Sequence, residues 1–162
     1  MPLLTLSLGS NIDADANIQK AVAELRSRFP ELRCSSVYES ESVGFEGDNF
    51  LNLVVAVETE KPLAALLKEI KGIEDTLGRD RSQPRFSSRS IDIDILTFGS
   101  LSGEHAGIFI PRSEILEHAF VLQPMAEILP DMKHPFTSRT LAEHWNEFDK
   151  AGQHLWRRDF HW

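Results

Sequence analysis

Arg79, Arg81, Arg85 and Arg89 fall in an eleven-residue stretch that holds one acid, Asp80. That stretch has a local charge of +3 in a chain of formal charge -8, leaving -11 for the rest. A cationic island in an acidic protein suits a polyanionic small molecule, because a guanidinium fork grips phosphate oxygens two at a time. The plainer alternative is a solvated loop whose arginines pair with surface acids. One residue further on, past Ser90, comes Ile91-Asp92-Ile93-Asp94-Ile95-Leu96. A strand's period of two sends the isoleucines to one face and Asp92 and Asp94 to the other. Two carboxylates on one face repel unless a cation lies between them, and Mg2+ takes one or two carboxylates together with substrate phosphates. The alternative is an exposed polar face with two unrelated acids. Taken together, the arginines and the acid pair are the parts that phosphoryl transfer needs, since its catalysis is mostly positioning and charge neutralisation. No Walker-type loop, no G-x-G-x-x-G and no G-x-S-x-G elbow competes.

These groups need a scaffold. Leu3–Leu8 reads as a buried strand, followed by the turn cluster Gly9-Ser10-Asn11. Asp13 or Asp15 can cap a helix with Ile18, Val22, Leu25 and Phe29 on one face, ended by Pro30. Cys34–Glu39 and Leu51–Thr59 read as strands around a polar loop over 40–49. Pro62 opens a helix with Leu63, Leu66, Leu67, Ile70, Ile73 and Leu77 on its face, and Gly78 ends it. Helical pieces are expected over 113–129, interrupted near Pro124, and over 138–148, with Leu141, Trp145 and Phe148 inward. The order βαββαβ predicts an α+β, ferredoxin-like antiparallel sheet with helices packed on it and C-terminal helical additions. One domain over 1–162 is expected.

The charge balance and a pI near 5.2 argue against nucleic-acid and anionic-membrane partners, which call for a basic surface. No apolar run approaches the roughly 20 residues that span a bilayer, and the apolar start reads as a strand, not a signal peptide. With Cys34 the only cysteine, no internal disulfide can form, and a cytoplasmic location is the simplest expectation. The ring-rich 153–162 segment is expected to dock onto its own domain.

Four stretches in order resemble the 6-hydroxymethyl-7,8-dihydropterin pyrophosphokinase family. They are Leu6-Ser7-Leu8-Gly9-Ser10-Asn11; Phe50-Leu51-Asn52; Ile73-Glu74 through Leu77-Gly78-Arg79-Asp80-Arg81 to Arg89-Ser90-Ile91-Asp92-Ile93-Asp94-Ile95-Leu96; and Ala119-Phe120-Val121-Leu122-Gln123-Pro124-Met125. The resemblance implies transfer of the terminal diphosphate of ATP to a pterin hydroxymethyl oxygen, with release of AMP. It implies that Asp92 and Asp94 hold two Mg2+ ions and that Arg79 and Arg89, with Asp94, are catalytic. Glu74, Arg81, Arg89, Ile95, Arg112 and His118 fall where the family meets ATP. Ser40, Val43, Phe50, Asn52 and Phe120 fall on the pterin side, with the Asn52 amide on the heterocycle's edge and Phe120 on its face. Arg112 stands where the family usually has His, and His118 where it usually has Arg. A divergent relative that binds ATP or a pterin without efficient transfer is the alternative. Small-molecule substrates and a monomer are expected.

Overall fold

Leu4, Leu6 and Leu8 alternate with Thr5 and Ser7, and burial on both faces follows when helices cover both sides of such a strand. The computed structural model describes residues 1–41, 49–77, 91–160 and 162. In it the first half runs β1 (Leu3–Ser10), α1 (Ala14–Arg28), β2 (Arg33–Cys34), β3 (Val37–Ser40), β4 (Phe50–Glu58), α2 (Leu63–Thr76) and β5 (Asp92–Phe98). A hairpin of β6 (Gly103–His105) and β7 (Ile108–Ile110) follows, then α3 (Glu114–Glu117), α4 (Ala119–Ile128), α5 (Leu141–Glu147) and β8 (Leu155–Arg158). The main sheet has the order β5-β1-β4-β3-β8, with β2 also on β4, and every pairing is antiparallel. Its β5-β1-β4-β3 portion has the strand order of the expected ferredoxin-like sheet.

Each face of the sheet has its own core. On one, Ile18 and Leu25 of α1 and Leu66, Ile70 and Ile73 of α2 cover Leu4, Leu6, Leu8, Ile93 and Ile95. On the other, Val121, Leu122 and Met125 of α4 and Leu141 of α5 cover Val54, Ala56 and Leu96. Each of these leucine, isoleucine, valine and methionine side chains contributes roughly 1.5–3 kcal/mol on burial. The register of β5 on β1 slips at Thr5/Leu6, which leaves Leu96 without an opposite residue. This bulge puts both Leu96 and Thr97 on the α4 side, where Thr97 bonds Thr5 through the two hydroxyls at 2.6 Å.

Several expectations need correction. The strand expected over Cys34–Glu39 is split into β2 and β3, because Ser35 bonds Val54 with its own N–H and accepts the Val54 N–H on its hydroxyl. Asp13 occupies the N-cap position of α1 but gives no side-chain cap; it sits at φ 43° while Asn17 donates to the Ile12 carbonyl at 2.7 Å. The break expected near Pro124 falls instead at His118, which is extended at φ -122°. Helix α4 then runs through Pro124 in its second turn, its lost bond outweighed by the burial of Ala119, Val121, Leu122 and Met125. The last helix starts at Leu141, later than Ser138, because Thr140 and Glu143 form a capping box. The turn residues Gly9 and Ser10 belong to β1. Of the 153–162 segment, Leu155–Arg158 docks onto the chain as a strand: β8 pairs with β3 through Val37↔Arg158 and Ser40↔Leu155. Gly78, the expected terminator of α2, lies outside the described residues.

Candidate active site

The Asp-x-Asp pair sits where strand geometry predicts. Along β5, Asp92 is half-buried, Ile93 buried, Asp94 exposed and Ile95 buried. Ile93 and Ile95 join the core under α1 and α2, so both carboxylates face the α4 side. Their neighbours follow from register. Asp92 lies opposite Gly9 of β1, and Gly9 lies opposite Asn52 of β4; Asp94 lies opposite Ser7, and Ser7 opposite Val54. Opposed residues in antiparallel strands share a face. Asn52, Gly9 and Asp92 therefore form one row across three strands, at the end of the face that Val54, Ala56 and Leu96 carry under α4.

Gly9 makes this row possible. A Cβ there would come within 2.7 Å of the Asn52 Nδ2, so the buried Asn52 amide lies directly over the glycine backbone. The row continues past Asn52 to Tyr38 of β3 and Arg157 of β8. The Tyr38 hydroxyl donates to Glu127 of α4 at 2.6 Å, and Glu127 also accepts from the Ser36 N–H at 2.9 Å and hydroxyl at 3.0 Å. Burial, then the Glu127 carboxylate, holds the Tyr38 hydroxyl above the usual phenol range. This cluster pins α4 to the sheet on the Asn52 side. At the start of α4, Phe120 stacks on His118 with centroids 4.8 Å apart and planes 16° from parallel.

Glu74 reaches β5 from the opposite helix layer. It is buried, and its Oε2 accepts the N–H of Ile93 at 2.9 Å. Ile93 is the residue between the two aspartates on an edge strand, so Glu74 fixes the backbone of the acid pair. Further along the same edge, the Arg112 N–H donates to the Leu96 carbonyl at 3.0 Å. This bond brings the Arg112 guanidinium beside Asp94, Nη1 to Oδ1 4.0 Å, while Nε and Nη2 donate to Glu114 Oε2 at 3.0 and 2.5 Å. Burial opposes the charge on Glu114, but the Arg112 guanidinium outweighs it and holds the carboxyl below its ordinary range. Arg112, likewise opposed by burial, is raised by Glu114 and Asp94. Arg112 also lines a cleft of about 630 Å³, together with Phe109, Pro111, Glu114, His134 and Phe136.

Of the residues singled out in the sequence, the structure gathers Asp92, Asp94, Asn52 and Arg112 around β5 and β1, with Phe50 and Ser40 opposite each other at the adjoining ends of β4 and β3. Ile95 has its side chain in the core, leaving only its backbone to meet a ligand. Val43, Arg79, Arg81 and Arg89 lie outside the described residues. Gly9 as the bed of the Asn52 amide and Glu114 as the partner of Arg112 escaped the sequence reading. The strand pattern and the nearby Arg112-Ser113-Glu114 were the signals that could have found them.

Among the described residues no group of three or more His, Cys, Asp or Glu side chains could hold a metal ion by itself. Two hard carboxylate oxygens beside an arginine nonetheless fit Mg2+, which completes its shell with water and substrate phosphates.

A ferredoxin-like sheet that carries an acid pair, an amide and an arginine is suited to a nucleotide-dependent phosphoryl-transfer enzyme. The sequence profile of one such family, described as 7,8-dihydro-6-hydroxymethylpterin-pyrophosphokinase (HPPK), matches residues 5–130. The chain belongs to that family. It is 34% identical over 157 residues to the 2-amino-4-hydroxy-6-hydroxymethyldihydropteridine pyrophosphokinase of Bacillus subtilis, covering 94% of this chain and 89% of that one. The protein of the same name from Aquifex aeolicus is 34% identical over 145 residues, with 88% and 90% covered. The folic acid synthesis protein fol1 of Schizosaccharomyces pombe is 32% identical over 93% of this chain, which spans 21% of that longer protein. Among solved structures, an HPPK-DHPS in complex with substrates has the same fold at a TM-score of 0.64 and 17% identity. That match covers 90% of this chain, which spans 43% of the solved one.

Proposed function

We propose that Asp92 and Asp94 are the magnesium-binding pair and that Asn52 and Phe120 hold the pterin of an ATP-dependent pyrophosphokinase. The activity is transfer of the terminal diphosphate of ATP to the hydroxymethyl group of 6-hydroxymethyl-7,8-dihydropterin, a step of folate biosynthesis. The single observation that supports the site reading best is the row Asn52–Gly9–Asp92, which puts an amide suited to a heterocycle's edge beside a carboxylate suited to a cation.

In the reaction the pterin hydroxyl oxygen forms a bond to the β-phosphorus. The bond from that phosphorus to the α,β-bridging oxygen breaks, AMP leaves with the electron pair, and the hydroxyl proton is lost. Magnesium held by Asp92 and Asp94 would neutralise the polyphosphate. Asn52, set over Gly9, orients the pterin by its edge, and Phe120 offers a ring to its face. Glu74 keeps the two aspartates in register by holding Ile93. Arg112 supplies positive charge next to Asp94, and Arg79, Arg81 and Arg89 are proposed to add theirs to the nucleotide phosphates. A loose transition state asks for such placement more than for a strong base.

The proposal extends to one domain over 1–162 working as a monomer in the cytoplasm; the lone cysteine supports the cytoplasmic location. No helix among the described residues is long and apolar enough to cross a membrane. The test is AMP release from ATP and magnesium on addition of the hydroxymethyl dihydropterin. Full turnover by Asp94→Ala would refute the metal assignment.

A further inference from the structure

We propose that Glu114 is a positioning residue for this reaction: it holds the Arg112 guanidinium in the orientation that aims Nη1 at the phosphates of ATP beside Asp94. The inference rests on the site reading above and adds a residue to it.

Arg112 stands between two carboxylates. Its backbone is fixed to the edge of β5 by the bond to the Leu96 carbonyl, so only the side chain can choose between them. Glu114 has it: Oε2 takes both Nε and Nη2, at 3.0 and 2.5 Å, and Oε1 is steadied by the Ser113 hydroxyl at 3.1 Å. Nη1 stands 4.0 Å from Asp94 Oδ1, an ion-pair distance but too long for a hydrogen bond. The planar fork cannot satisfy Glu114 on its Nε edge and turn the same edge to Asp94. Glu114 therefore does two things. It presents Nη1 to the space next to Asp94, where a nucleotide phosphate sharing a cation with that carboxylate would lie. It also keeps Arg112 from closing onto Asp94 and competing with magnesium.

The long, always-charged Arg112 side chain gains from a fixed partner, since a guanidinium carries substantial rotamer entropy when unpaired. Glu114 lies two residues on, at the start of α3 next to the buried Ile115, and so is itself anchored.

The experiment compares wild type, Arg112→Ala, Glu114→Gln, Glu114→Ala and the double Ala variant. Calorimetry reads the affinity for a non-hydrolysable ATP analogue with magnesium, a titration reads the magnesium midpoint, and steady-state AMP release gives KM and kcat. Glu114→Ala is expected to weaken nucleotide binding and raise the KM for ATP about 5–20-fold, around the lower end of one charge-assisted bond because Arg112 itself remains, and to raise the magnesium midpoint. Pterin affinity should stay as in wild type, which also reports that the variant is folded. Glu114→Gln, keeping an acceptor without the charge, should fall between the two. In the Arg112→Ala background, removing Glu114 should cost nothing more.

Wild-type nucleotide binding by Glu114→Ala, an unmoved magnesium midpoint, or an equal loss in the Arg112→Ala background would each overturn the inference while leaving the site reading intact. Normal nucleotide binding by Arg112→Ala would overturn Arg112's place in the site, and the inference with it.

Discussion

Replacing Gly9 with alanine should damage pterin recognition while sparing both the fold and the nucleotide. Gly9 does not have a positive φ, so alanine fits its backbone. The conflict is with one side chain: the new Cβ would stand 2.7 Å from Asn52 Nδ2, against 3.4 Å for ordinary contact, so the amide must retreat by about 0.7 Å or turn away. The obstructing atom is the far end of a side chain, and the stability cost should stay within about 1 kcal/mol. For binding, the amide loses its aim at the heterocycle. One or two neutral hydrogen bonds at about 1–1.5 kcal/mol each, with a ligand group left unpaired, amount to roughly a 10–100-fold weaker pterin affinity. The assay is calorimetric titration of the hydroxymethyl dihydropterin in the presence of magnesium and a non-hydrolysable ATP analogue, with the analogue's own affinity as control. The nucleotide should bind within about twofold of wild type, since the perturbed group lies on the far side of Gly9 from β5. In an Asn52→Ala background the glycine change should have no further effect on the pterin. Wild-type pterin affinity in Gly9→Ala, or an undiminished loss without the Asn52 amide, would refute the reasoning.

Asp94→Asn should cut AMP release about 10²–10³-fold and shift the magnesium titration upward, with a folding free energy within about 0.5 kcal/mol of wild type because the side chain is half exposed. Glu74→Ala should destabilise by about 1–3 kcal/mol in chemical denaturation, since it leaves the Ile93 N–H without its acceptor, and Glu74→Gln by less; equal losses for both would deny the hydrogen bond its role. His134 is held below its ordinary pKa of 6.5, first by burial and then by His144, and its Nδ1 accepts the Phe136 N–H at 3.1 Å. A base with a depressed folded-state pKa binds its proton more readily once unfolded, so its stabilising effect is present above 6.5 and lost as pH falls from 6.5 towards the folded value. The denaturation midpoint of wild type should therefore drop between pH 7 and 5 more steeply than that of His134→Asn, and parallel curves would exclude the histidine as the cause.

The sequence alone determined the pieces whose causes are local. Period-two alternation set Asp92 and Asp94 on one face of a strand, and helical spacing put Leu66, Ile70 and Ile73 on one face of α2. Both patterns survive into the fold because burial enforces them. Where a local signal lost, a specific interaction won: Ser35 splits the second strand by pairing with Val54, and the packing of α4 overrides Pro124. The tail over 153–162 carries no strand signal strong enough to read, since β8 exists by pairing with β3, more than a hundred residues earlier in the chain.

Only the tertiary structure decided which residues stand next to the acid pair. Register placed Gly9 between Asp92 and Asn52, the edge of β5 drew in Glu74 and Arg112, and Glu114 settled which way Arg112 turns. Residue type and spacing hint at Gly9 and Glu114 but settle none of these contacts. They depend on how strands far apart in the sequence line up, and on which of two carboxylates a single guanidinium pairs with.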